Sequence, residues 1–353
     1  MNKDSPNTLP GQVDEAETRP LLIVPYNWIG DFVRGHSVVR VVKQRWPNRP
    51  VDILSTPLCA PLTDYMPGVR AAIVHDLPRS RLALRRQAAL ARRLRAESYG
   101  TALVLPRTWK SAIAPALAGI SERTGFVGEA RFGLLNDWRW GERALPRLID
   151  KNAMLALPPD AARPDRWPVP QLSVPAAEIA AWRQANGLGE RPAIVLAPGS
   201  VGIHKRWPFY GEAARALEAE GYDIWVVGGP GETALASEIA ATGGAQVRDL
   251  TGGDLRNGIL AIAAARLAIA NDSGLLHVAA AIGTPTIGIF GPTSPWHWAP
   301  LNPLAAVVQP ASLRDTEMPY HSIAARTDDS YIRAIPPADV LAAAGSVLAG
   351  SAG

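Results

Sequence analysis

The apolar positions of this chain fall into short continuous runs separated by longer amphipathic stretches. Leu21–Pro25, Val51–Ser55, Ala71–Val74 and Ala102–Leu105 are such runs, long enough for strands and too short for helices. Asp31–Trp46 has helical spacing between the first two, and a long arginine-bearing helical stretch separates the last two. The same alternation restarts with Ala193–Ala197, Ile224–Val227, Leu267–Ala270 and Thr286–Phe290. Leu275–Ile282 reads as a helix within this second series, and Pro337–Leu348 as the last helix. Apolar strands alternating with helices predict βαβ units and parallel sheets in an α/β protein.

Between the two series, residues 158–170 hold Pro158, Pro159, Pro164, Pro168 and Pro170 and show no periodicity. Proline fixes its own φ and denies a helix or strand a donor, so this stretch reads as the boundary between two units. The expected organisation is a disordered polar tail over 1–20, an N-terminal lobe over 21–165 and a C-terminal lobe with a terminal helix over 166–353. Two α/β lobes in one chain leave a ligand cleft at the carboxyl ends of their strands.

Composition narrows this only moderately. Hydrophobic residues make up 47% of the 353 residues and charged residues 19%, enough for two cores. The net charge of +4 favours anionic partners without a strong excess. The single cysteine, Cys59, permits no intrachain disulfide and reads as a small buried apolar residue. Residues 1–20 lack the apolar run of a secretory leader, and no stretch reaches the roughly 20 apolar residues of a membrane span. The expected location is the cytoplasm. The tryptophans are scattered and no nucleic-acid-binding motif is present, so nucleic acid is not an expected partner.

Five segments carry candidate chemistry. Pro25-Tyr26-Asn27-Trp28-Ile29-Gly30-Asp31 follows the first strand. Asp31 there reads equally as an N-terminal helix residue favoured by the helix dipole and as a base facing the cleft. Pro198-Gly199-Ser200 and Lys205-Arg206-Trp207-Pro208 flank a strand–helix junction where a glycine turn, a hydroxyl and adjacent cations suit a diphosphate. Val227-Gly228-Gly229-Pro230-Gly231-Glu232 is a glycine cluster after a strand, either a plain turn or a close backbone approach with Glu232 on ribose hydroxyls. In Asn271-Asp272-Ser273-Gly274-Leu275-Leu276-His277, Asp272 and Ser273 are good helix caps. The amides of Ser273, Gly274 and Leu275 could equally seat an anion, with His277 one turn further on. Finally, Arg79–Arg95 holds seven arginines and no acid. On a helical wheel Leu84, Leu90, Ala91 and Leu94 share one face, and Arg81, Arg85, Arg92 and Arg95 the other. This reads as a solvated face over a core stripe, or as a dock for anionic lipid or a phosphorylated acceptor.

Taken in order, these segments resemble the ADP-heptose:lipopolysaccharide heptosyltransferases of glycosyltransferase family 9, with Leu105-Pro106, Lys110-Ser111-Ala112, Arg123-Thr124-Gly125-Phe126, Arg131-Phe132-Gly133-Leu134-Leu135-Asn136-Asp137 and Phe290-Gly291-Pro292 joining the pattern. The likeness runs from about residue 21 to 300; residues 311–335 and the N-terminal tail depart from it. It implies a GT-B architecture of two Rossmann-like lobes and an inverting, metal-independent transferase without cofactor; no Asp-x-Asp clamp is present in the sequence. It also implies ADP-heptose as donor, the heptosylated lipopolysaccharide inner core (Kdo-lipid A) as acceptor, and peripheral contact with the inner face of the inner membrane. By resemblance, Asp31 is the base on the acceptor hydroxyl and Lys205 neutralises the donor diphosphate. Ser200, Glu232, Asp272, Ser273, Gly274 and His277 hold the donor. Lys110, Arg123, Arg81 and Arg85 are candidates for acceptor phosphates or carboxylates.

Other readings stay open from the sequence alone. One is a family member with another acceptor, such as the first heptose onto Kdo, or another nucleotide sugar. A non-catalytic nucleotide-sugar-binding module needs neither Asp31 nor Lys205, and a two-lobed nucleotide-sugar epimerase needs no arginine helix.

Overall fold

A computed structural model of the chain describes residues 18–78 and 82–350. The first sheet is built from β1 (Leu21–Val24), α1 (Ile29–Arg45), β2 (Val51–Ser55), α2 (Ala60–Thr63), β3 (Ala71–Val74), α3 (Leu84–Ala96), β4 (Thr101–Val104), α4 (Trp109–Ala118), β5 (Glu122–Phe126) and β6 (Asp137–Arg139). Two helices, α5 (Leu148–Met154) and α6 (Ala176–Ala185), precede the second sheet. That sheet follows with β7 (Ala193–Ala197), α7 (Tyr210–Ala219), β8 (Asp223–Val226), α8 (Thr233–Gly243), β9 (Val247–Asp249), α9 (Leu255–Ala264), β10 (Leu267–Asn271), α10 (Gly274–Ile282), β11 (Thr286–Ile289), α11 (Pro295–Trp298) and β12 (Ala305–Val308). The chain closes with α12 (Ser330–Arg333) and α13 (Pro337–Gly350).

Both sheets are six-stranded and parallel, in the orders β3-β2-β1-β4-β5-β6 and β12-β11-β10-β7-β8-β9. The two orders are the same topology met twice. In each, the order reverses between the first and fourth strand of its series, β1/β4 and β7/β10, and a crevice opens there at the carboxyl ends. The central strands are buried on both faces: β1, β7 and β10 have no exposed residue. This is why they read in the sequence as continuous apolar runs.

The eight expected strands are all present, with ends shifted by at most one residue. The sequence reading passed over β5, β6, β9 and β12. These lie at or beside sheet edges, where one face stays wet, and ERTGF, DWR and VRD carry no apolar run to betray them. Another correction concerns α3. Leu84, placed on its apolar face, is 63% exposed, and Gln87 joins Leu90, Ala91 and Leu94 in the buried stripe.

Residues 1–17 and Arg81 lie outside the described residues. Arg19, counted with the polar tail, is tied down instead. Its guanidinium donates to the Ser98 and Tyr99 carbonyls at 3.2 and 3.1 Å, and its own carbonyl accepts from Arg49 Nε at 3.0 Å. The proline-rich stretch is irregular yet fastened to both sheets' helices. Arg40 of α1 donates to the Val169 carbonyl at 2.7 Å, and Gln171 N donates to His36 Nδ1 at 3.0 Å. Leu172 N donates to the Ala281 carbonyl of α10 at 2.8 Å. Cys59 is buried.

Candidate active site between the two sheets

The amino ends of α1 and α10 meet face to face across the cleft. The approach is close enough to need glycine on both sides. A Cβ built on Gly30 falls 2.7 Å from His277 Cδ2, and one built on Gly274 falls 2.7 Å from Ile29 Cβ. Any side chain at either position would wedge the helices apart. Asp31, one residue beyond Gly30, is thereby brought to the loops that follow β7 and β10.

Neither acid of the opening motifs serves as a helix cap. The α1 helix starts at Trp28 without a side-chain cap, and Asp31 Oδ1 instead accepts from Arg34 Nη1 at 3.2 Å. Likewise Ser273 makes no capping bond. The Asp272 carboxylate is taken by Lys205 Nζ at 2.6 Å and Thr293 Oγ1 at 2.9 Å, both on Oδ2. The first-turn amides of α10 are therefore uncapped by side chains, and the helix dipole leaves them a seat for an anion. Ser200 Oγ donates to the Asp272 carbonyl at 3.3 Å, so the β7 and β10 loops converge on one spot.

Asn271 holds those loops in place. It is fully buried; its Nδ2 donates to the Pro198 carbonyl at 2.7 Å, and its Oδ1 accepts from Trp207 N at 3.2 Å and Tyr210 OH at 3.1 Å. Glu232 packs over both glycine turns. A Cβ on Gly199 would lie 2.8 Å from Glu232 Cγ, and one on Gly228 2.8 Å from Glu232 Cβ. Its carboxylate thus stands beside the ends of β7 and β8, next to the diphosphate candidates.

Burial sets the electrostatics. Desolvation pushes the Asp31 carboxyl above its ordinary 3.8; the charge and hydrogen bond of Arg34 and the charge of Lys205 oppose this, while Asp272 adds to it. A carboxylate held at raised basicity is what a general base needs. His277 is driven well below its usual value by burial and by the charges of Arg34 and Lys205. It is neutral. Arg34 Nη2 lies 2.9 Å from His277 Nε2, and guanidinium is only a donor, so Nε2 accepts and Nδ1 carries the proton.

Three residues of this site escaped the sequence reading. Arg34 stands one turn beyond Asp31, and that i,i+3 spacing was the available signal. Thr293 directly follows the Phe290-Gly291-Pro292 motif. Tyr320 gave no signal at all: it comes from the stretch that matches the family pattern poorly. In the fold that stretch returns to the cleft. Tyr320 packs on Trp298 at 4.7 Å between ring centroids, and its carbonyl accepts from Trp298 Nε1 at 2.9 Å. Its neighbours strap the lysine loop, with His204 N donating to the Arg326 carbonyl at 3.4 Å and Trp207 Nε1 to the Ile335 carbonyl at 2.8 Å.

A cavity of about 270 Å³ opens at the carboxyl ends of β1 to β4, sharing the β1–α1 turn with Asp31. Tyr26, Trp28, His75, Gln87, Lys110 and Ser111 line it. Gln87 Nε2 donates to the Lys110 carbonyl at 3.3 Å, while its buried Oε1 has no partner among the described residues. Lys110 is therefore on the cavity, as an acceptor contact requires. Arg123 is not. It sits in the amino half of β5, level with Ala102, and donates to the carbonyls of Leu134 at 2.7 Å and Ile120 at 2.5 Å. Its guanidinium is spent on the chain itself at the far end of the sheet from the cleft. On α3, Arg86 pairs with Asp76 and Arg93 donates to the Val74 carbonyl, whereas Arg85 and Arg92 are exposed. Among the described residues, no group of three or more His, Cys, Asp or Glu side chains could hold a metal ion.

Comparison with known proteins gives the family and the fold. The sequence model of Glycosyltransferase family 9 (heptosyltransferase) matches residues 87–321. Lipopolysaccharide heptosyltransferase 2 of Escherichia coli is 35% identical over 306 residues, covering 82% of this chain and 87% of its own. Lipooligosaccharide heptosyltransferase 2 of Haemophilus influenzae is 35% identical over 305 residues, covering 82% and 88%. The solved structure of E. coli ADP-heptose lps heptosyltransferase II superposes with a TM-score of 0.83 at 31% identity, covering 95% of this chain and 100% of that one. A family 9 glycosyltransferase from Veillonella parvula shares the fold at a TM-score of 0.82 and 17% identity. The two-lobed architecture is therefore that of the GT-B heptosyltransferases, and the chain belongs to glycosyltransferase family 9, the heptosyltransferases.

Proposed function

We propose that this enzyme moves a heptose from ADP-heptose onto the heptosylated inner core of lipopolysaccharide, with inversion. The observation that carries the reading is the placement of Asp31 against the Lys205–Asp272 pair across the cleft, near enough for both charges to act on its carboxyl. Asp31 takes the proton of the acceptor hydroxyl as its oxygen attacks the anomeric carbon. Lys205 and the α10 amides at Ser273 and Gly274 neutralise the departing diphosphate, and Glu232 and Ser200 hold the nucleotide end. Lys205 pairs with Asp272, so a bound diphosphate shares this lysine with that carboxylate. His277 supports this seat from beneath, through Arg34.

The acceptor enters the N-terminal lobe, 21–165, at the cavity beside Lys110; the donor occupies the C-terminal lobe, 166–353. The work is cytoplasmic, at the inner face of the inner membrane, where exposed Arg85 and Arg92 meet anionic lipid. No helix among the described residues is long and apolar enough to cross a membrane. The test is transfer from ADP-heptose to Kdo-lipid A before and after the first heptose is added. Turnover confined to the heptosylated acceptor supports the reading; turnover confined to the bare acceptor assigns the first heptose instead. Binding to anionic vesicles that survives Arg85→Gln with Arg92→Gln refutes the assignment of the contact to these two arginines, and no binding by the parent enzyme refutes the membrane contact itself.

A further inference from the structure

Arg34 is an expensive residue to bury. Its guanidinium is only 6% exposed, and a long apolar side chain would fill the same space without desolvating a charge. Its partners explain the cost. Nη1 donates to Asp31 Oδ1 at 3.2 Å on its own helix. Nη2 donates to two acceptors of the other lobe, His277 Nε2 at 2.9 Å and the Trp298 carbonyl at 2.5 Å. The guanidinium also lies over the Trp298 ring, 4.9 Å from its centroid. One rigid planar fork thus spans the catalytic carboxylate and two elements of the donor lobe, α10 and α11.

We propose that Arg34 is a positioning residue that locks the Asp31 carboxylate to the donor lobe, so that base and donor seat assemble as one unit. The proposal rests on the reading of Asp31 as the base. The groups facing Asp31 are Arg34 from α1, Lys205 and Asp272 from the donor loops, Tyr26 from the β1–α1 turn and Tyr320 from the segment beyond α11. Of these, Arg34 alone is hydrogen-bonded to it among the described residues. A planar fork fixes the direction of the carboxylate as well as its charge, which a point charge cannot do. Closing the cleft on Trp298 and His277 then brings the oriented carboxylate to the donor sugar in the same movement.

Two variants separate charge from geometry. Arg34→Gln removes the charge beside Asp31. The acid limb of kcat/KM should move up by about one pH unit, with turnover at neutral pH reduced ~10-fold or more. Arg34→Lys keeps the charge but has no fork. It should return the midpoint toward that of the parent while kcat stays low and the KM for ADP-heptose changes little. Hydrogen exchange of the unliganded enzyme reads the tie between lobes directly. Amides of 28–34 and 296–300 should exchange faster in both variants, with exchange in β7 and β10 unchanged. Arg34→Gln with a uniformly lowered rate at an unmoved midpoint would reduce Arg34 to a structural residue and overturn the proposal. So would parent-like exchange at 296–300. Asp31→Asn, run alongside, isolates the underlying reading. If that variant turns over, Asp31 is not the base and the orienting role falls with it, whereas exchange at 296–300 still decides the tie between lobes.

Discussion

In the C-terminal lobe Lys205 and Thr293 both donate to one oxygen of Asp272, at 2.6 and 2.9 Å, whereas in the N-terminal lobe Gln87, whose buried Oε1 has no partner among the described residues, lines a cavity of about 270 Å³. The proposed donor seat is a paired array of charges. Its charges balance each other, its loops are held by Asn271, and a diphosphate has only to exchange partners within it. The acceptor side is a shaped space whose polar lining is incomplete. A nucleotide diphosphate is the same small anion in every turnover and rewards a preformed charge array. An oligosaccharide is recognised by shape and by scattered hydroxyls, and a cavity lined by aromatic and polar side chains suits it.

Four substitutions break or sharpen this contrast. The largest effect belongs to Asp31→Asn, which should lower turnover by roughly 10³-fold while calorimetry shows ADP binding essentially intact. In the parent enzyme the raised proton affinity of Asp31 sets the sign of the pH dependence. The carboxyl must be ionised to act, so kcat/KM should fall as pH drops through a midpoint above the usual carboxylate value, not at it. Lys205→Ala comes next, with kcat down ~10²-fold and ADP bound more weakly, because it also leaves Asp272 facing the diphosphate unneutralised. If kcat held and only ADP affinity fell, Lys205 would serve binding alone. Gln87→Leu should raise the acceptor KM about 10-fold at unchanged donor KM, since it removes a polar group from the cavity wall and the bond that holds the Lys110 carbonyl. Equal effects on both substrates would erase the distinction between the two sides. Least affected is the chemistry of Arg123→Met. Both kinetic constants should stay within two-fold, and thermal unfolding should show a loss of about 1–3 kcal/mol from the orphaned Leu134 and Ile120 carbonyls. A raised acceptor KM would return Arg123 to the acceptor site.

The contrast also shows how far the sequence could be read. Donor-side residues sit in short motifs directly after strands, and parallel strands buried on both faces announce themselves as apolar runs. So the candidates Ser200, Lys205, Asp272 and His277 could be named from the segments where the chain leaves β7 and β10. The cavity residues His75 and Gln87 come from separate elements and share no motif. Gln87 was hidden within the arginine helix, where polar neighbours gave no hint that one of them was buried. Arg123 shows the opposite error: it belongs to a well-formed motif, but strand register puts it in the amino half of β5, away from the cleft.

By itself the sequence determined the α/β class, eight of the twelve strands, the doubled βαβ series and the chemistry available at each strand end. These follow from local periodicity, from glycine and proline at turns, and from residues within a few positions of one another. Only the tertiary structure decided which of those residues meet. It brought Gly30 against His277, ran the Arg34 fork from Asp31 to Trp298, and folded Tyr320 back onto the site from a segment without recognisable pattern. The physical reason is range. A helix or strand is specified by neighbours along the chain, but a contact between residues 34 and 298 is fixed by the packing of two lobes, and no short stretch of sequence encodes it.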